Sequence, residues 1–229
     1  MLILTAAALG VLALVVGLVA ALLPNAPPPA RPRPMPVLPE TAAFPHKLSS
    51  ASAAPPLRLP AAGTRSGPVP RGYPPTPEGA LAQLAALTDT GLVNADPQVY
   101  ATAYAAVAAP GAPPATDTRL YRDLAGVRAQ AGLPPVGAAP EVSFAWTPTS
   151  GLIKGSTDGG RYVVACVLGQ LDAGANGRVI STGAGDCQAL RWVDGQWWIS
   201  PGVATAPAPL AWPGSPEAVQ VGYRAVTGA

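Results

Sequence analysis

Hydrophobic positions along this chain fall into three regimes. From Leu2 to Leu23 they are continuous: 22 residues with no charge and nothing more polar than Thr5. A helix needs about 20 apolar residues to cross the hydrocarbon core. Residues 1–23 are therefore predicted as one transmembrane helix, with residues 2–23 in the lipid bilayer, stopped by Pro24 and Asn25. A cleaved signal peptide is the rival, but its apolar core is usually about 7–15 residues behind a basic start. From residue 24 to 70 apolar periodicity vanishes, and 14 prolines predict a disordered, extended tether rich in polyproline II. From residue 71 to 229 periodic patterns return and predict one α+β globular domain.

Helical periods come first. Thr76–Pro77–Glu78 reads as an N-cap, a proline at the first helical position and an acid in the first turn. Leu81, Leu84, Ala85 and Leu87 then fall on one face. Asp96–Pro97 repeats the start, with Val99, Ala103, Tyr104 and Val107 behind it. Thr116 or Asp117 opens a third helix carrying Leu120, Tyr121, Leu124 and Val127, which closes near Gly132. Ser215–Pro216–Glu217 gives the same signal again and predicts a short C-terminal helix over 215–226, packed through Val219, Tyr223 and Val226.

Between them the period changes to two over 141–200. Val142, Phe144 and Trp146 alternate with Ser143 and Ala145, a half-buried strand that Pro148 is expected to end. Leu152–Ile153 can add a short strand. Longer strands are expected over 161–171 and 178–193, giving a curved antiparallel sheet of about four strands under three helices. Asn176–Gly177 and Asp194–Gly195 both favour two-residue hairpin turns. If Ala175 pairs with Arg178, Cys166 falls opposite Cys187 at a narrow pair, where Cα atoms lie about 4.5 Å apart. That suits a disulfide, unless Gly183 and Gly185 introduce a bulge. If Val193 pairs with Gln196, Trp192 faces Trp197 and Arg191 faces Trp198. Trp192, Trp197, Trp198 and Arg191 then form an aromatic hairpin clamp, structural in role, with a cation–π contact between Arg191 and Trp198.

Charge narrows the function. The chain carries a net +2, of which residues 24–70 hold +4, from Arg31, Arg33, Lys47, Arg58 and Arg65 against Glu40. The domain is left at −2, a poor match for nucleic acid. The two cysteines, taken as paired, imply an oxidising, extracytoplasmic compartment. Arg31 and Arg33 beyond the anchor argue for the opposite orientation under the positive-inside rule; the cysteines are given more weight. His46 is the only histidine and lies in the tether, so Ser–His and Cys–His catalysis and histidine metal sites find no residue in the domain. Gly183–Ala184–Gly185 lacks the rest of a dinucleotide fingerprint. Asp158 reads as a turn residue, and Asp186 beside Cys187 is the other carboxylate of interest. No catalytic residue, metal or cofactor is expected.

The order of anchor, tether, Gly72–Tyr73–Pro74, Thr76–Pro77–Glu78–Gly79–Ala80 and a sheet ending Leu190–Arg191–Trp192–Val193–Asp194–Gly195–Gln196–Trp197–Trp198 resembles membrane-anchored nuclear-transport-factor-like domains. More narrowly it is similar to conjugation and type IV secretion assembly factors of high-GC Gram-positive bacteria. The resemblance covers about residues 71–200. It implies a cone-shaped α+β fold, a single-pass cell-membrane protein and a non-catalytic scaffold on the extracytoplasmic face, with protein partners in a membrane complex and room for homo-oligomers. The alternative is a ligand-binding module with an apolar pocket, of the type that accompanies lipid import.

Overall fold

A computed structural model of the chain describes residues 36–50, 54–64 and 67–228. The expected membrane helix, the first part of the tether and Arg65 lie outside the described residues. Among the described residues no helix is long and apolar enough to cross a membrane.

The first strand, β1 (Leu57–Arg58), precedes three helices: α1 (Pro77–Gly91), α2 (Pro97–Val107) and α3 (Arg119–Gln130). The long strands β2 (Ser143–Thr157), β3 (Tyr162–Ala175) and β4 (Arg178–Val193) follow, then β5 (Gln196–Ile199), α4 (Pro216–Gln220) and β6 (Arg224–Thr227). The protein is α+β.

The helices begin where capping chemistry directs. Thr76 Oγ1 accepts from the Gly79 amide at 3.1 Å, and Asp96 Oδ1 accepts from the Gln98 amide at 2.8 Å. The third cap is Thr118, and not Thr116 or Asp117. Its hydroxyl accepts from the Tyr121 amide, while Ala115–Asp117 wind into a 3-10 turn ahead of it. Helix α1 is buried along most of its length through Ala80, Leu81, Leu84 and Leu87, because it packs against both α2 and the sheet.

Six strands, and not about four, form the sheet, in the order β1-β6-β2-β3-β4-β5. The two additional strands come from segments expected elsewhere. β6 occupies the end of the predicted 215–226 helix, which stops at Gln220; Gly222, at φ 98°, then turns the chain into a strand. β1 comes from the predicted tether. It pairs in parallel with β6, Leu57 beside Val226.

The tether expectation is corrected further. Leu57, Leu59 and Val69 are buried, as are Ala42 and Ala43. The Trp212 amide donates to the Ala42 carbonyl at 2.6 Å, and the Ser49 amide to the Gly214 carbonyl at 2.8 Å. The chain from Pro36 onward belongs to one unit. Sparse apolar residues among prolines gave no period to read; Leu57, Leu59 and Val69 are buried, whereas Val37, Phe44 and Leu48 stay exposed.

Pro148 does not end its strand. β2 runs through it by a register shift between Pro148 and Ser150, and shifts again between Ile153 and Gly155. A bulge accommodates the missing proline N–H and bends the strand. Gly169 stands opposite Pro148, where a Cβ would overlap the Thr147 carbonyl. The β3–β4 register is unbroken from Tyr162–Arg191 to Ala175–Arg178, so Gly183 and Gly185 cause no bulge. Gly183 instead admits the chain crossing over β4, since a Cβ there would overlap the Ala211 carbonyl.

Candidate functional site

Side chains alternate along β4, so Asp186, Gln188 and Leu190 share one face of the sheet. That is the helix-facing side, where their partners Val167, Ala165 and Val163 enter the main core. Cys187 alternates to the other face and is disulfide-bonded to Cys166, with Cα atoms 4.0 Å apart. The cysteine pairing expected from the hairpin register is therefore present.

Asp186 is buried beneath α2. Tyr100 donates its phenolic hydrogen to Oδ2 at 2.9 Å. Gln188 Nε2 donates to both carboxylate oxygens, at 3.1 and 3.0 Å. The Cys187 backbone adds a further hydrogen bond. Burial pushes the Asp186 carboxyl above its ordinary range, while the bonds from Gln188, Tyr100 and Cys187 pull it back. Burial likewise raises the Tyr100 phenol well above its usual value, and the Asp186 charge adds to the shift. Tyr104 lies one helical turn beyond Tyr100, with ring centroids 5.9 Å apart. Its hydroxyl is buried and has no hydrogen-bond partner among the described residues. Burial first, then the charges of Asp186 and Asp117, raise its pKa.

A cavity of about 210 Å³ opens beside this cluster. Tyr104, Asp186 and Gln188 are in its wall, Thr205 closes one side, and Arg119 and Arg122 stand on the α3 side. Arg119 Nε bonds Asp123 Oδ1 at 2.6 Å, and Arg122 Nη1 donates to the Asp117 carbonyl at 3.0 Å. Each guanidinium keeps further N–H groups beyond these bonds. Among the described residues, no three His, Cys, Asp or Glu side chains converge to hold a metal ion.

The hairpin aromatics form a second cluster at the sheet edge. Trp192 and Trp197 stand opposite each other, with ring centroids 5.5 Å apart in an edge-on arrangement. Trp197 is fully buried and donates from Nε1 to the Pro74 carbonyl at 2.8 Å, fixing the entry to α1. Arg191 pairs in register with Trp198, but its cation rests elsewhere. It lies over the Tyr162 ring at 5.4 Å, while Arg71 covers Trp198 at 4.5 Å and bonds Gln196 Oε1 at 2.6 Å. Arg191 lies directly opposite Tyr162 on β3, in the same register that pairs Ala175 with Arg178. A groove of about 370 Å³ lies beside Trp198, bounded by Pro110, Val193 and Pro201.

Two buried polar features left little or no trace in the sequence. The convergence of Tyr100, Tyr104 and Asp186 left only one trace, the i, i+4 spacing of the tyrosines. Arg128 left none. It is fully buried and donates to the carbonyls of Pro134 at 2.7 Å, Asn94 at 3.1 Å and Gly137 at 2.7 Å. It thereby ties α3 to the loops after α1 and before β2.

No family model, curated protein or solved structure matches this chain.

Proposed function

We propose that this protein is a non-catalytic assembly component, anchored in the cell membrane by residues 2–23. Its α+β domain stands on the extracytoplasmic face and works through protein contacts. The resemblance to nuclear-transport-factor-like assembly factors makes a conjugation or secretion apparatus the setting of choice. The observation that carries this reading is the filled space between α1 and the sheet, where Leu81, Leu84, Leu87 and Trp197 are buried to 1% exposure or less. A lipid-import accessory of the alternative type would need an apolar chamber there. The Cys166–Cys187 bond supports an oxidising compartment. The groove beside Trp198, with half-exposed Val193 on its rim, supplies an apolar contact face at the sheet edge.

The test is site-specific photo-cross-linking of the full chain in its native membranes, with the photoreactive residue at Val193. The reading expects the protein in the membrane fraction and one discrete protein adduct, lost on Trp198→Ala. Recovery in the soluble fraction, or no protein adduct from Val193, would refute it.

A further inference from the structure

The cavity beside Asp186 has features that the scaffold reading does not use. Asp186 is a buried carboxylate, and no cationic side chain forms an ion pair with it among the described residues. Leaving a buried charge without a counter-charge is unfavourable. A carboxylate offers about four acceptor sites, and Tyr100, Gln188 and the Cys187 backbone supply donors to it. All of these donors are neutral, so the hydrogen bonds leave the charge without a counter-ion. On the same cavity wall, Tyr104 is only 2% exposed, and its hydroxyl oxygen is unpartnered. An ammonium group carries three donors and no acceptor. It can donate to the carboxylate and to the phenolic oxygen together, satisfying both and neutralising the charge.

The α3 side of the cavity carries Asp117 just ahead of the helix and two arginines on it. Arg119 and Arg122 are three residues apart on one helix face and both border the opening. Their remaining N–H groups suit a carboxylate. The volume of about 210 Å³ is room for roughly seven waters at about 30 Å³ each, the size of a small amino acid.

From this we propose that the cavity binds a small zwitterion of the amino-acid class, its ammonium on Asp186 and Tyr104 and its carboxylate toward Arg119 and Arg122. The site is independent of the scaffold reading, since its ligand enters beside α3 and not at the Trp198 groove.

The test is NMR titration of the full chain in detergent micelles, following the Cys187 amide and the Gln188 side-chain amide. Three probes separate the contributions: 4-aminobutyrate carries both charges, n-butylamine only the cation and butyrate only the anion. Saturable shifts with 4-aminobutyrate are expected, weaker ones with butylamine and none with butyrate. Asp186→Asn, nearly isosteric, should weaken 4-aminobutyrate by about tenfold or more through loss of a charged hydrogen bond. Tyr104→Phe keeps the packing and should weaken it severalfold. Arg119→Ala combined with Arg122→Ala should bring 4-aminobutyrate down to the level of butylamine, and Arg122→Ala alone should go part of the way. The proposal is overturned if no probe saturates, if butyrate binds as well as 4-aminobutyrate, or if Asp186→Asn binds undiminished while its melting profile remains native.

Discussion

The Tyr100 hydroxyl donates to the Asp186 carboxylate at 2.9 Å, joining α2 to β4 across 86 residues of chain. The bond holds the second helix over the sheet and keeps a carboxylate in the interior. Removing the donor leaves a buried charge short of a partner. Tyr100→Phe is therefore expected to cost about 2 kcal/mol in urea unfolding. The loss should be larger at pH 7 than at pH 4, because a charged acceptor makes the stronger bond.

Asp186 itself sets a pH dependence. Burial raises its folded pKa above the ordinary value of 3.8, so across that window the native protein binds more protons than the unfolded chain. Its contribution to stability is then greatest at low pH and falls as pH rises from about 4 through the raised value. Asp186→Asn lacks this term. Relative to the parent, the variant should gain stability with rising pH over that window, as read from denaturant midpoints. A constant offset at every pH would contradict the assignment.

Arg128 predicts a different failure. Arg128→Met would leave the carbonyls of Pro134, Asn94 and Gly137 without their donor. The expected loss is about 3 kcal/mol, from buried acceptors left unpaired. Arg128→Lys should recover only part of it, because one ammonium cannot reproduce the planar fork. Urea midpoints of the three proteins test the order Arg, Lys, Met.

His46 Nε2 meets Glu217 Oε2 at 2.8 Å and fastens the segment before β1 to α4. The Glu217 hydrogen bond raises the His46 pKa, with help from the Phe44 carbonyl, and His46 lowers that of Glu217. The histidine contribution is full below its ordinary 6.5 and is lost as pH rises through the raised value. The glutamate contribution is full above its ordinary 4.5 and is lost as pH falls through the lowered value. The clasp is thus complete between 4.5 and 6.5. Hydrogen exchange of the Ser49 amide, which donates to Gly214, should show higher protection at pH 5.5 than at pH 8. Glu217→Gln should erase the difference.

What was legible in the sequence was local. Thr76, Asp96 and Ser215 announced their helices because a cap is decided within four residues. Asn176–Gly177 and Asp194–Gly195 fixed two hairpins, and strict alternation carried the register as far as Cys166–Cys187 and Trp192–Trp197. What was not legible depends on contacts distant in sequence. Leu57 and Leu59 look like stray apolar residues in a proline-rich stretch until β6 gives them an edge to join. Arg128 sits on a helix like any surface arginine, and its three carbonyls come from loops with no pattern of their own. Asp186 could be singled out beside Cys187, but its tyrosine partners could not, since α2 and β4 meet only after the sheet curls. Arg191 was matched to the wrong ring because two hairpins, and not one, place aromatics beside it.

The disulfide closes a loop between residues 21 apart in sequence, and the chain-entropy account gives about 3 kcal/mol for a loop of that size. Replacing both Cys166 and Cys187 by alanine should lower stability by about that amount.

The most direct test of the account is the state of these two cysteines in living cells. Cells are quenched in acid, denatured in a small maleimide that blocks every free thiol, then reduced and treated with a polymer-linked maleimide. Both sulfurs are buried in the native fold, so the labelling is done on denatured protein. An outward-facing, disulfide-bonded domain predicts two polymer adducts that appear only after reduction. Complete blocking by the first maleimide would mean reduced thiols in the cell, and would contradict an extracytoplasmic domain and the scaffold role proposed for it.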